Sequence, residues 1–228
     1  MIDVLFVDNQ ILVVNKPAGM LVQEDETGDP DLFTLAKAYV KERFEKPGNV
    51  YLGLVHRLDR PVSGVMVFAR TSKAAARLSD QFRRRTVDKR YLAVVEGVRQ
   101  GSGSCVDYLV KENRRVRVVP KTYPRAQRAE LSWKTVAVRG GLSLVEVRLE
   151  TGRPHQIRVQ LAHGGTPILG DFRYGATKEL DGRNIALHCY HLGFEHPTRR
   201  EHMAWETLPP ETWGGLFDRE VSGLLGRS

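Results

Sequence analysis

The chain has 228 residues, 41% hydrophobic and 27% charged, a balance that suits a folded protein with its own core and argues against long disorder. No apolar run approaches the roughly 20 residues needed to cross a bilayer, and residues 1–5 lack the basic start and apolar stretch of an export signal, so the cytoplasm is the expected compartment. A net charge of +8, from 35 Lys and Arg against 27 Asp and Glu, favours encounter with a polyanion without requiring one.

Val4-Leu5-Phe6-Val7 and Ile11-Leu12-Val13-Val14 flank Asp8-Asn9-Gln10 and predict a hairpin. Asn15-Lys16-Pro17-Ala18-Gly19 then breaks the second strand. From Asp31, the residues Leu32, Leu35, Ala36, Tyr39, Val40 and Phe44 recur at helical spacing until Pro47-Gly48. Residues 51–55 and 65–68 read as strands on either side of a turn. Thr71 or Ser72 can cap a helix running to about Arg85, with Ala75, Leu78 and Phe82 on its apolar face and a basic opposite face. Residues 89–97 read as a strand, 100–104 as a Gly/Ser loop, and 105–128 as a basic segment with strand character around 116–119.

A further hairpin is predicted from residues 131–138 and 142–149 around Arg139-Gly140-Gly141. Pro154 suits the first turn of a helix, with Ile157 and Leu161 facing inward and Gly164-Gly165 as its stop. Ile185-Ala186-Leu187-His188 reads as a strand continuing through Leu192 and Phe194 to Pro197, and the tail with Trp205, Pro209-Pro210 and Trp213 as a strand and a short helix. Strands outnumber helices and most neighbours look hairpin-joined, which predicts one α+β domain over residues 1–228 with a largely antiparallel sheet.

The stretch Val55-His56-Arg57-Leu58-Asp59-Arg60-Pro61-Val62-Ser63-Gly64 sets an arginine, a carboxylate and a hydroxyl on a segment that Pro61 and Gly64 keep from being helical. Asp59 there either braces the turn or stands at the mouth of a cleft. Arg57, Asp59, Tyr91 and Arg153 each fall at a strand end or turn. An arginine opposite an aspartate keeps the carboxylate ionised, an ionised carboxylate is a nucleophile, and an aromatic ring can stack on a base. Such parts suit chemistry on a flipped-out nucleotide. Equally, Tyr91 can be a core residue and Arg153 a brace for a surface carboxylate.

Cys105 and Cys189 form no metal-binding spacing, and in His188-Cys189-Tyr190-His191 alternate strand residues point to opposite faces, so no metal site is expected. The basic clusters Arg83-Arg84-Arg85, Lys89-Arg90 and Arg114-Arg115-Val116-Arg117 read as solvated faces or as footing for a polyanion.

Taken together, the motifs resemble the RluA-type pseudouridine synthases. The resemblance runs from Val55-His56-Arg57-Leu58-Asp59 with Ser63-Gly64, through Lys89-Arg90-Tyr91 and Ala93-Val94-Val95-Glu96-Gly97, to Thr151-Gly152-Arg153-Pro154-His155-Gln156-Ile157-Arg158. Gly170-Asp171, Tyr174-Gly175, Ala186-Leu187-His188 and Phe194-Glu195-His196-Pro197 continue it in the same order, over roughly residues 4–206. Val62 and Gln160 depart from it, standing where the family usually has threonine and often has histidine.

The resemblance implies a mixed, mostly antiparallel central sheet flanked by helices, with a basic catalytic cleft. It implies uridine-to-pseudouridine isomerisation in ribosomal or transfer RNA, with no cofactor and no metal; a monomer is the default expectation and does not come from the resemblance. It casts Asp59 as the essential carboxylate, attacking the anomeric carbon, adding to the uracil, or removing a sugar proton. Arg153 would pair with Asp59, and Tyr91 would lie against the uracil. Arg57 would enter the space of the flipped uridine, Leu187 would pack on the base, and His56 and Ser63 would support the turn. Many relatives carry a small RNA-binding domain ahead of the catalytic one; none is expected here, since residue 4 already belongs to the matching pattern.

Overall fold

The computed structural model describes residues 2–113 and 115–226, so Arg114 of the basic run lies outside the described residues. The described residues form two compact units, one from residues 2–88 with 189–207, the other from residues 89–113 and 115–188 with 208–226.

The first unit opens with the predicted hairpin, β1 (Asp3–Val7) and β2 (Ile11–Lys16), paired antiparallel. Its turn is fixed by the Asp8 carboxylate, which accepts from the backbone N–H groups of Gln10 and Ile11 at 2.7 and 2.9 Å. Helix α1 (Leu32–Arg43) starts at Asp31, whose side chain accepts from the Thr34 N–H. The strand expected over residues 51–55 shrinks to β3 (Gly53–Leu54), followed by β4 (Ser63–Ala69). β4 pairs antiparallel with β2 and, at its far end, with β3. Helix α2 (Ser72–Arg84) is capped by Thr71, one of the two residues expected to do so.

β4 is buried along its whole length because both faces are covered. Val65, Val67 and Ala69 pack with Ile11 and Val13 against Ala74 and Leu78 of α2. On the opposite face Phe68 meets Phe33 of α1, ring centres 6.0 Å apart.

In the second unit β5 (Asp88–Glu96, within this unit from Lys89), β6 (Ser102–Glu112), β7 (Arg115–Val119), β8 (Gln127–Arg139) and β9 (Leu142–Leu149) follow. They run in the order β5-β9-β8-β6-β7, each pair antiparallel. The Gly/Ser stretch expected as a loop is partly strand: Ser102, Gly103 and Ser104 register against Lys134, Trp133 and Ser132. Pairing with β8 overrides the weak strand propensity of those residues.

Helix α3 (Gln156–His163) starts two residues after Pro154, because His155 takes a left-handed conformation at φ 51. Six consecutive residues, Gln156 to Leu161, are buried, so its polar side chains must find partners inside the protein. Val159 packs with Leu109, Val116 and Ala129.

β10 (Leu187–Glu195) begins in the second unit and from Cys189 onward belongs to the first, where it neighbours β4 and pairs with β11 (His202–Glu206). Gln81 of α2 clasps β10 by donating to the Glu195 carbonyl at 2.8 Å and accepting its N–H at 2.9 Å. The last described element is α4 (Asp218–Leu224), with Trp213, Phe217 and Val221 buried. The α+β, largely antiparallel expectation holds.

Candidate active site

Residues 55–62 form an irregular, non-helical connection between β3 and β4 in the first unit. Leu58 and Val62 are buried, Asp59 is half-buried and Arg57 is exposed. The two apolar side chains therefore anchor the connection while the two chemical side chains remain within reach of solvent. The Val62 N–H donates to the Asp59 carbonyl at 3.1 Å, closing a tight turn around Arg60-Pro61.

Arg60 ties that turn to the segment following β2. Its carbonyl accepts from the Gly19 N–H at 2.8 Å, its Nε donates to the Gly19 carbonyl at 3.0 Å, and its guanidinium pairs with Asp29. Beneath it lies Lys16, fully buried, with Nζ donating to the carbonyls of Pro17 at 2.9 Å and Arg60 at 3.1 Å. Burial lowers the Lys16 ammonium to about 7, against the opposing pull of Asp59, which favours the charged form. A lysine at a strand end ordinarily reads as surface, so the sequence alone does not mark Lys16 as a buried support of this loop.

His56 supports the same loop. Its Nε2 accepts from the Val67 N–H at 3.0 Å and its ring stacks on Phe82 with centres 4.7 Å apart. It serves as a ladder partner for β4 just past the point where β3 ends. Gly64 then allows β10 to approach: at φ +126, a Cβ there would lie 2.3 Å from the Cys189 carbonyl oxygen.

The remaining sequence-predicted residues belong to the second unit. Tyr91, in β5 opposite Val147, is buried at 6% exposure. Leu187, the first residue of β10, is also buried. Arg153 is half-buried just ahead of α3, and its Nε donates to the Arg128 carbonyl at 3.0 Å. That bond uses one of the five N–H donors of the guanidinium.

Three polar side chains tie α3 into its unit. Gln156 donates to the Glu130 carbonyl at 3.0 Å, and Gln160 to the Asp107 carboxylate at 2.7 Å. Arg158 grips Asp171 through Nε and Nη2 at 2.7 and 2.9 Å. The Arg158 guanidinium lies 5.0 Å from the Tyr174 ring centre, and the Tyr174 hydroxyl sits 2.7 Å from His155 Nδ1. Glu96, at the end of β5, accepts from the backbone N–H groups of Thr177 and Lys178, fastening the loop before β10.

The sequence pattern of a family described as RNA pseudouridylate synthase matches residues 10–163, a span containing Arg57, Asp59, Tyr91 and Arg153. A ribosomal large subunit pseudouridine synthase D of Zymomonas mobilis is 33% identical over 227 residues, covering 95% of this chain and 72% of that one. A tRNA pseudouridine synthase C of Haemophilus ducreyi is 29% identical, covering 96% of this chain and 95% of its own. Among solved structures, human RNA pseudouridylate synthase domain containing 4 superposes with a TM-score of 0.80 at 25% identity, covering 96% of this chain and 92% of that one. The fold, the ordered motifs and these similarities converge: the chain belongs to the RNA pseudouridylate synthase family, in its RluA-type branch, and is an RNA pseudouridine synthase.

Proposed function

We propose that this protein isomerises specific uridines in structured ribosomal or transfer RNA, acting as a monomer on a nucleotide flipped out of its stack, with Asp59 as the essential carboxylate. The observation that carries this reading is the setting of Asp59. It is half-buried on a non-helical loop that Arg60 and Lys16 fasten from below, inside the span shared with the family. A carboxylate held in this way keeps its aim without being sealed from a substrate.

The reaction breaks the bond from the sugar's anomeric carbon to uracil N1 and forms one from that carbon to uracil C5. The C5 proton leaves and N1 regains one, so atoms and electrons balance without an external oxidant or phosphate donor. Attack on the sugar, addition to the uracil and removal of a sugar proton all start from ionised Asp59. By family resemblance, Arg153 holds that charge, Tyr91 lies against the uracil and assists loss of the C5 proton, Arg57 fills the vacated stack, and Leu187 packs on the base. Flipping costs least at loops and unpaired positions, which directs the activity to stem-loops.

The test is carbodiimide-based mapping of pseudouridine across total RNA from cells with the wild-type protein, with none, and with Asp59→Asn. Sites present only with the wild-type protein are expected. Persistence of those sites with Asp59→Asn would overturn the role given to Asp59.

A further inference from the structure

Gln156 is 3% exposed and Thr151 is 5% exposed, and together they close a polar circuit around the entry to α3. The Glu130 N–H donates to Thr151 Oγ1 at 2.8 Å, and Thr151 Oγ1 donates to Gln156 Oε1 at 2.8 Å. The same Oε1 accepts the Arg153 backbone N–H at 2.9 Å, while Nε2 donates to the Glu130 carbonyl at 3.0 Å. The amide orientation is thereby determined, since a flip would set Nε2 against the Arg153 N–H and Oε1 against a carbonyl.

Arg153 is thus attached to β8 twice: through Gln156 to Glu130, and directly from its Nε to the Arg128 carbonyl two residues away. The following residues restrict it further. Pro154 disfavours helical geometry at Arg153, and His155 holds φ 51, a conformation that costs a non-glycine residue free energy unless its surroundings impose it. A tight, unfavourable entry locked by a buried amide fixes the origin of the Arg153 side chain.

We propose that Gln156, supported by Thr151, is a positioning residue for the isomerisation: it sets the backbone of Arg153 and so aims the guanidinium. The proposal rests on the role given to Arg153 above. Gln156 acts through Arg153 and makes no substrate contact of its own.

The experiment measures tritium release from ribosomal and transfer RNA transcripts labelled at uridine C5, under multiple turnover, with each rate scaled to the folded fraction. Gln156→Met preserves volume and removes both polar ends. It is expected to lower kcat about 10- to 100-fold while KM stays within about threefold, the pattern of a lost transition-state interaction. Thr151→Val is expected to shift in the same direction and Thr151→Ser to restore near wild-type turnover; Thr151→Val also serves where Gln156→Met fails to fold. In an Arg153→Lys background, Gln156→Met is expected to reduce kcat by no more than about twofold further, because coupled residues are not additive. A kcat per folded molecule within about twofold of wild type for Gln156→Met and Thr151→Val, or full additivity with Arg153→Lys, would overturn the proposal. Absence of tritium release from the wild-type protein would instead defeat the reading of the reaction on these RNAs.

Discussion

Lys16 donates from its buried Nζ to the Arg60 carbonyl at 3.1 Å, joining the end of β2 to the loop that carries Asp59. Its proton leaves at about 7 in the fold and at the usual 10.5 when unfolded. Between those values the unfolded chain holds a proton that the folded one has released, so this group's contribution to stability rises from about pH 7 to the unfolded value, and as pH falls it declines over the same window and levels off below 7. Lys16→Met has no such group. The wild-type advantage over Lys16→Met in urea unfolding is therefore expected to be about 3 kcal/mol larger near pH 9.5 than near pH 7. An equal difference at both values would show that Lys16 does not titrate in this window.

Gly64 fills a position that no side chain can take. A Cβ there would stand 2.3 and 2.5 Å from the Cys189 carbonyl oxygen and nitrogen, at a φ of +126. Gly64→Ala is expected to cost about 3 kcal/mol or more, since both backbones must shift. Gly140→Ala is the control: its φ is +60, but nothing lies within 4 Å of the added carbon, so a loss of about 1 kcal/mol is expected. Thermal unfolding of the two variants decides it, and equal losses would contradict the close approach of β10 to β4.

These positions also show what could be read in the sequence. Asp8, Asp31 and Thr71 act within three residues of themselves, so the β1–β2 hairpin and the starts of α1 and α2 were visible locally. The non-helical character of the Asp59 loop followed from Pro61 and Gly64. Lys16 was not legible, because its acceptor on Arg60 lies forty-four positions away. Nor was the start of β6, which depends on registry with residues 132–134. The helical pattern at α3 was right about Ile157 and Leu161, which are buried. It was silent about Gln156, Arg158 and Gln160, polar residues whose burial depends on distant partners.

Arg158 and Asp171 form a two-pronged ion pair with side-chain exposures of 5% and 1%. Removing one member leaves the other charge buried and uncompensated. Arg158→Met and Asp171→Leu are each expected to cost about 3–5 kcal/mol, and the double replacement markedly less than their sum. A double-mutant cycle by chemical denaturation measures this. Additive losses would mean that the pair contributes only through packing.

Tyr91 combines a buried ring in β5 with a hydroxyl, and its two proposed jobs separate on Tyr91→Phe. The ring keeps its shape, so stacking on uracil and RNA affinity are expected to persist. The hydroxyl is lost, and with it the assistance to the C5 proton, so turnover is expected to fall about 10- to 100-fold. RNA binding by filter retention and tritium release from C5-labelled transcripts give the two readouts. Loss of RNA binding would show that the ring is not the group in contact with the base. Unchanged turnover would remove the hydroxyl from the proton transfer and leave Tyr91 a stacking residue only.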